Sequence, residues 1–222
     1  IVYFGKNPNL RESFTFAAGF AKLFLVLLML PWVLDGKIVE FTFVEEIVKG
    51  VPLQFRVDGL GMLFALVASS LWILTSLYSI GYMRGANEGS QTRFFAFFAV
   101  SLSATLGVAF AANLFTLYLF YEMLSLATFP LVTHHQDKEA RTGGRIYLTY
   151  LLSTSIGFVL PAMLYCYWKS GGNMEFSNAG FLAEKVGPTE SLILLLLFVF
   201  GFAKSGIMPF HSWLPNAMVA PT

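Results

Sequence analysis

Residues 114–133 read LFTLYLFYEMLSLATFPLVT, an apolar run that contains a single charged side chain, Glu122. A helix that crosses a bilayer needs about 20 mostly apolar residues, so this run predicts a transmembrane helix. A charged side chain at the centre of such a helix costs about 2.5 to 3.5 kcal/mol on insertion scales. We therefore expect Glu122 to face the interior of a helix bundle.

Comparable apolar runs recur along the chain, which is 56% hydrophobic and only 12% charged. Soluble domains carry roughly 25% charged residues, so lipid is the expected solvent. The sequence predicts an all-α, multi-pass membrane protein, and residues 1–222 are expected to form one transmembrane domain that is truncated at both ends. The predicted helices are A (14–34), B (59–83), C (94–112), D (114–133), E (146–168) and F, which begins near residue 190.

Composition also limits the chemistry that this chain performs. The net charge of +1 gives no reason to expect nucleic acid as a partner. Cys166 is the only cysteine, so no internal disulfide is possible. The sequence contains no dinucleotide fingerprint, phosphate loop, zinc-protease motif, or haem or iron–sulfur pattern. We expect no cofactor and no metal, and redox chemistry would belong to partner proteins; whether the chain is part of an enzyme stays open.

Basic residues are divided between the two ends of the predicted bundle. Seven lie at the end where helix A begins and five at the opposite end, a bias that predicts a cytoplasmic location for the first end. The first group is Lys6, Arg11, Arg84, Arg93, Lys138, Arg141 and Arg145. The second group is Lys37, Lys49, Arg56, Lys169 and Lys185.

A second intramembrane charge, Lys204, lies at the centre of the stretch 190–219. Gly206 and Pro209 follow it, and they predict a helix break around 206–209 because glycine is permissive and proline lacks an amide hydrogen. Broken helices at membrane depth occur where the freed backbone faces protein or water, and they mark ion sites in transporters. A lysine beside such a break and near Glu122 would form a proton switch; a purely structural ion pair is the alternative.

Other polar residues are candidate relays around this pair. Tyr118, Glu122 and Ser125 share one helix face at i, i+4 and i+7, and His211 follows the predicted break. Ordinary hydrogen bonding between helices is the alternative for each of these relays.

Three further features of the sequence lie outside this group of candidate residues. Lys22 in helix A is either interior or directed to the membrane surface. His134 and His135 are expected in a solvated loop. Alternation in residues 37–55 predicts a short strand pair outside the bilayer.

Four segments of this sequence match a known family. They read FRVDGL (55–60), YSIGYM (78–83), NLFTLYLFYE (113–122) and KSGIMPFHSWLPNAM (204–218). With these segments the chain resembles the antiporter-like membrane subunits of respiratory complex I. It is also similar to subunits of Mrp-type cation/proton antiporters and membrane-bound hydrogenases.

The resemblance implies a function and a fold. Glu122 and Lys204 match the pair at the centre of the family's proton channel, which implies a proton-translocating half-channel in a redox-driven complex of several membrane subunits. The implied location is the plasma membrane of a prokaryote or an organelle inner membrane. The fold would be the first part of an inverted-repeat bundle, with helices A to F as the family's second to seventh helices and residues 1–4 as the remnant of the first.

The resemblance is incomplete, and other functions stay open. The second repeat is absent, and Asn216 stands where many members have aspartate. Arg56 and Asp58 match the family pattern, and their expected role is to cap helix B. The alternatives are a quinone-binding or anchoring subunit of a membrane oxidoreductase, a sodium/proton antiporter subunit, or an inert scaffold.

Overall fold

Apolar helices make up most of the chain in its computed structural model, which describes residues 7–220. The elements in chain order are α1 (Pro8–Leu34), β1 (Val39–Val48), β2 (Val51–Val57), α2 (Gly59–Gly85), α3 (Gln91–Ala109), α4 (Leu114–Val132), α5 (Lys138–Thr154), α6 (Leu160–Ser170), α7 (Pro188–Gly201) and α8 (Trp213–Ala217). A π-helical segment, Ser155–Val159, joins α5 to α6, and a 3-10 turn, Ala203–Ser205, follows α7.

Among residues 7–220, five helices are long and apolar enough to cross a membrane: α1, α2, α3, α4 and the continuous rod of α5 and α6. The sixth predicted span corresponds to α7, which has only 14 residues before the chain becomes irregular. The helical, multi-pass architecture predicted from the sequence is therefore confirmed. The predicted remnant helix at residues 1–4 lies outside the described residues.

The helix starts follow from side-chain caps. Asn7, Asp58, Asn113 and Asp137 each accept a hydrogen bond from a backbone N–H in the first turn, at 2.6 to 3.0 Å. Such a cap replaces the missing partner of an N–H group at the start of a helix and contributes about 1 kcal/mol. The predicted cap for helix B is thus confirmed for Asp58.

Three predicted helix boundaries are wrong. Helix α1 begins at Pro8 rather than residue 14, and α5 begins at Lys138 rather than residue 146, because both continue past the apolar run into polar turns. Helix α3 ends at Ala109 rather than residue 112. The backbone that follows it turns aside to bond β2, with Ala112 N–H donating to Gln54 O at 3.1 Å.

Small residues bring neighbouring helices close together. A Cβ atom at Gly107 in α3 would lie 2.2 Å from the ring of Phe120 in α4. A Cβ atom at Gly144 in α5 would lie 2.2 Å from Thr133, just after α4. Large apolar side chains on the outer faces are exposed, including Phe24 on α1 and Leu63 on α2. Small residues between helices and large apolar ones outside are typical of a bundle in lipid.

The predicted strand pair is confirmed as an antiparallel hairpin of β1 and β2, in which Val39 pairs with Val57. Arg56 holds this end of the bundle together, which we call the hairpin end. Its guanidinium donates to Glu40 on β1, to Glu175, and to the carbonyl oxygen of Phe176. Burial disfavours the charge, but the hydrogen bonds and charges of the two carboxylates outweigh it and raise the pKa of Arg56. Arg56 is therefore a connector of three segments, not a helix cap.

The opposite end of the bundle, which we call the arginine end, carries a polar network. Arg84 at the end of α2 pairs with the buried Glu12 of α1 at 2.6 Å. Arg11 donates to Gln91 at 2.8 Å, and so links α1 to the start of α3. The described arginines of the first basic group thus gather at one end, as the sequence predicted. The cytoplasmic location of this end stays a prediction.

The prediction of a solvated loop is wrong for His134. This residue follows α4, and its side chain is buried against the ring of Phe94, with ring centres 5.7 Å apart. Burial, and then the positive charge of Arg93, lowers the pKa of His134 below its ordinary value of 6.5. His135 is exposed, as predicted.

We expect His134 to make the fold less stable in mild acid. Because its pKa is lower in the folded chain, the unfolded chain binds more protons once the pH falls below about 6.5, and stability is lost in that window. The thermal unfolding temperature of the natural chain in detergent should therefore fall between about pH 7 and pH 5. His134→Gln should flatten this dependence, whereas His135→Gln, the matched control, should keep it. An unchanged pH dependence in His134→Gln would contradict the assignment.

Candidate functional site

Glu122 lies in the third turn of α4, which starts at Leu114, and its side chain is half-buried. Its carboxylate accepts a hydrogen bond from the hydroxyl of Ser155, which is completely buried. The carboxylate therefore faces the rod of α5 and α6, as we expected from the cost of exposing a charge to lipid.

The π-helical segment is what presents Ser155 to Glu122. Pro161 lies two residues after this segment and has no N–H to continue the α-helical bonding pattern toward residue 157. Such π-bulges occur frequently at functional sites. The far end of the segment contacts the irregular stretch after α7, since the ring of Phe158 lies 5.6 Å from the ring of Phe210.

The helix break comes earlier than predicted. Helix α7 ends at Gly201, so Lys204 lies within the irregular stretch, in the Ala203–Ser205 turn, rather than just before it. Gly206 closes this turn in the left-handed region, with φ at +70°, where glycine is favoured. Pro209 lies further along the same stretch. Both residues predicted to break the helix are thus part of the break, but its start is set by packing at Gly201.

Freed backbone groups in the break find partners in the bundle. The indole N–H of Trp213 in α8 donates to the carbonyl oxygen of Ala203 at 3.0 Å. The hydroxyl of Tyr121 in α4 accepts from the N–H of Lys204 at 3.3 Å. Polar backbone at membrane depth must be satisfied by protein or water, and these two bonds satisfy both polar groups of the peptide unit between Ala203 and Lys204.

The ammonium of Lys204 lies among aromatic side chains. Its Nζ donates to the hydroxyl of Tyr147 at 3.4 Å, and it lies 5.2 Å from the ring centre of Tyr121. Within residues 7–220 it forms no salt bridge with Glu122, and the functional pairing of the two charges stays a prediction. Cation–π contacts of this kind stabilise a desolvated cation by about 2 kcal/mol.

Each of the two charges has a hydroxyl partner on the rod of α5 and α6. Tyr147 in α5 contacts the hydroxyl of Thr128 in α4, which lies less than two turns after Glu122. Ser155 lies about two turns after Tyr147 on the same rod and bonds Glu122. Sequence reasoning missed Ser155, Tyr147 and Thr128, because only the packing of α5 against α4 brings them together. Pro161, in the middle of predicted helix E, was the one local signal of the irregularity.

The predicted relay residues lie mostly outside this group. Ser125 is buried, but its hydroxyl donates to the carbonyl oxygen of Tyr121 within its own helix. Tyr118 packs against an apolar cluster around Leu114, although its hydroxyl approaches that of Ser155. His211 is exposed, and its side chain has no hydrogen bond within the described residues. Asn216 donates to the carbonyl oxygen of Ser212 at 2.7 Å.

The fold and this group of residues define a multi-pass membrane protein that holds a carboxylate and a lysine inside its bundle, the lysine at a helix break. The family model described as NADH:quinone oxidoreductase/Mrp antiporter, TM, matches residues 111–222. A second model, described as NADH-Ubiquinone oxidoreductase (complex I), chain 5 N-terminus, matches residues 49–95. The chain belongs to this family of antiporter-like membrane subunits, as its sequence motifs predicted.

Relatives of known name are components of membrane complexes. The chain is 34% identical over 84% of its length to a Na(+)/H(+) antiporter subunit of Alkalihalophilus pseudofirmus, and 32% identical over 86% to a probable K(+)/H(+) antiporter subunit of Rhizobium meliloti. It is also 32% identical over 74% of its length to hydrogenase-4 component B of Escherichia coli. The chain spans 23%, 19% and 24% of these relatives respectively.

Solved structures show the same fold. The chain superposes on a chain of the archaeal membrane-bound sulfane sulfur reductase with a TM-score of 0.82 and 20% identity, covering 97% of this chain and 44% of that one. The corresponding TM-score for the Mrp complex from Dietzia is 0.73, at 21% identity, covering 92% and 38%. This chain therefore shares its fold with those two chains.

Gly201 should be needed to hold the break against the π-helical segment. A Cβ atom at Gly201 would lie 2.4 Å from Cγ2 and 3.0 Å from the backbone nitrogen of Val159, so Gly201→Ala should cost about 1 to 3 kcal/mol. Gly81→Ala, on an open face of α2, is the matched control and should be neutral or slightly stabilising. The measurement is thermal unfolding in detergent, and equal unfolding temperatures for the two variants would contradict this packing.

Proposed function

We propose that this chain is part of a cation- and proton-translocating subunit of a multi-subunit membrane complex, in which Glu122 and Lys204 carry the moving charge. The observation behind the proposal is that a hydroxyl of the same rod bonds each charge: Ser155 bonds the carboxylate, and Tyr147 bonds the lysine. Intramembrane charges that face a bundle interior serve ion and proton pathways in general.

The chemistry of the group suits proton transfer. A hydroxyl both donates and accepts, so it passes a proton on without holding a charge. Tyr147 contacts both Lys204 and Thr128, and Ser155 contacts Glu122, so each charge has a hydroxyl partner for the first step of a proton transfer. Because the two charges are not in direct contact, a proton on one is not locked there by the other.

The helix break supplies the mobility that a translocation cycle needs. Lys204 stands in a short turn between α7 and α8, held by two backbone hydrogen bonds rather than by a continuous helix. Discontinuous helices near the membrane midplane coordinate ions in many transporters. A small movement of this turn would change the distance from the ammonium to Tyr147.

The named relatives favour exchange of a monovalent cation for protons. Two of them are named as Na(+)/H(+) and K(+)/H(+) antiporter subunits, and they match more than four-fifths of this chain. We therefore infer antiport in the plasma membrane of a prokaryote, together with other membrane subunits. A redox-driven complex is the second candidate, favoured by the similarity to hydrogenase-4 component B.

Neutralising either charge should stop translocation. In inverted membrane vesicles that contain the full natural chain and its complex, sodium or potassium is added to an imposed pH gradient, and its dissipation is followed with a fluorescent amine. Glu122→Gln and Lys204→Met should each lower the rate about 100-fold, the usual effect of losing a proton-transfer group. Glu139→Gln, an exposed change at the start of α5, is the control and should keep the rate. Full activity in Glu122→Gln would refute the proposal.

The hydroxyl of Tyr147 should matter more than its ring. Tyr147→Phe keeps the aromatic face near Lys204 but removes the contacts to the ammonium and to Thr128. We expect a rate about tenfold lower in the same vesicles, since one relay step is lost. Tyr150→Phe, one turn further along α5, is the matched control. If both variants keep the rate, Tyr147 has only a packing role.

A further inference from the structure

Lys22 is a third charged residue at membrane depth, well apart from the site just described. It lies near the middle of the 27-residue helix α1, about 20 Å from either end at 1.5 Å per residue. A lysine at this depth costs about 2.5 to 3.5 kcal/mol unless it has a partner. We therefore expect the structure to contain a partner that offsets this cost.

The partner of Lys22 is an aromatic ring. Its Nζ is buried and lies 4.1 Å from the ring centre of Trp72, which is 8% exposed and lies midway along α2. Close packing of the two helices brings this contact about, since a Cβ atom at Gly19 would lie 3.4 Å from Ile73. No carboxylate within residues 7–220 forms a salt bridge with Lys22. The ring face is thus the counterpart of the ammonium, and at a desolvated site it contributes about 2 kcal/mol.

Buried polar atoms of α1 and α2 have unused hydrogen-bonding capacity. Lys22 Nζ, Ser69 Oγ and Trp72 Nε1 are all buried without a hydrogen-bond partner within the described residues. Ser69 is completely buried and precedes Trp72 by one turn on the face of α2 that Lys22 contacts. The hydroxyl of Thr75, in the same helix, instead donates to the carbonyl oxygen of Leu71 at 2.8 Å. Unpaired buried polar groups are rare enough to call for an explanation.

We propose that Lys22 is a second proton-carrying group of this subunit, which alternates between an ammonium on the Trp72 ring and a neutral amine that accepts a hydrogen bond from Ser69. In the first form the positive charge lies on the ring face. In the second, the ammonium has given one proton to water, and the lone pair left on Nζ is an acceptor for the spare hydroxyl of Ser69. Each protonation state thus has its own partner, and the reverse step returns the proton from water to Nζ.

A purely structural role makes a different demand on this position. A cation that only braces α1 against α2 needs a permanent charge on the ring, and arginine supplies that charge and stacks on aromatic rings. A proton carrier must lose its charge in each cycle, which arginine does not do in proteins. Lys22→Arg therefore separates the two roles, and the proposal rests on the translocation function proposed above.

The experiment measures cation-dependent dissipation of a pH gradient in inverted vesicles that contain the full natural chain and its complex. Lys22→Arg and Lys22→Met should both lower the rate about tenfold or more. Lys37→Arg and Lys37→Met are matched controls, because Lys37 lies 5.3 Å from the Trp32 ring but on the exposed surface. Both controls should keep the rate. The amount of assembled protein in each vesicle preparation is measured by quantitative blotting and gel filtration.

A second variant covers the case in which Lys22→Arg fails to assemble. Ser69→Ala removes only the hydroxyl that would donate to the neutral amine, and it should lower the rate about fivefold, as expected for one lost hydrogen bond. Ser79→Ala, buried on the same helix, is its control. Full transport in Lys22→Arg, or in Ser69→Ala, overturns the proposal and leaves Lys22 a structural cation. Glu122→Gln is run in parallel: if it is inactive while Lys22→Arg is active, the translocation proposal stands and this one alone falls.

Discussion

The cost of unpaired polar groups in lipid is the constraint on which the rest of this structure depends. Each backbone N–H or C=O without a partner costs several kcal/mol in the hydrocarbon region, so long uninterrupted helices are the default. Within residues 7–220 the chain departs from them at two places in the bundle, the π-helical segment at Ser155–Val159 and the break after Gly201. These departures adjoin Glu122 and Lys204 respectively, and the freed backbone beside Lys204 is bonded by Trp213 and Tyr121. The irregular backbone and these two charged side chains thus share one polar environment.

The same constraint separates the features that were predictable from those that were not. Apolar runs and helix caps are local, so the spans and the Asp58 cap could be read directly from the sequence. The positions of Glu122 and Lys204 inside the bundle followed from their cost in lipid. The neighbours of these charges did not, because Ser155 and Tyr147 lie on a helix whose rotation is fixed only by packing, at glycines such as Gly144. His134 was misjudged for the same reason: its ring is buried by Phe94, far away in sequence.

The two ends of the bundle are held together by different kinds of contact. At the hairpin end, backbone hydrogen bonds join the turn before α4 to β2 on one side and to the segment around Glu175 on the other, with Arg56 across all three. At the arginine end, side chains alone make the connections, as between Arg84 and Glu12. Backbone pairing fixes relative positions more rigidly than long side chains do, because less rotamer freedom remains. The helices are therefore anchored at one end and adjustable at the other.

The hydrogen bond from Trp213 to Ala203 couples the position of α8 to that of Lys204. It fastens α8 to the residue directly before Lys204, while a Cβ atom at Gly143 would lie 2.3 Å from the carbonyl oxygen of Asn216, so α8 also rests on α5. A movement of α8 would therefore be passed to the backbone beside Lys204 through this bond as well as along residues 206–212. A tilt of the short helix about its contact with α5 would displace the ammonium of Lys204 relative to the hydroxyl of Tyr147.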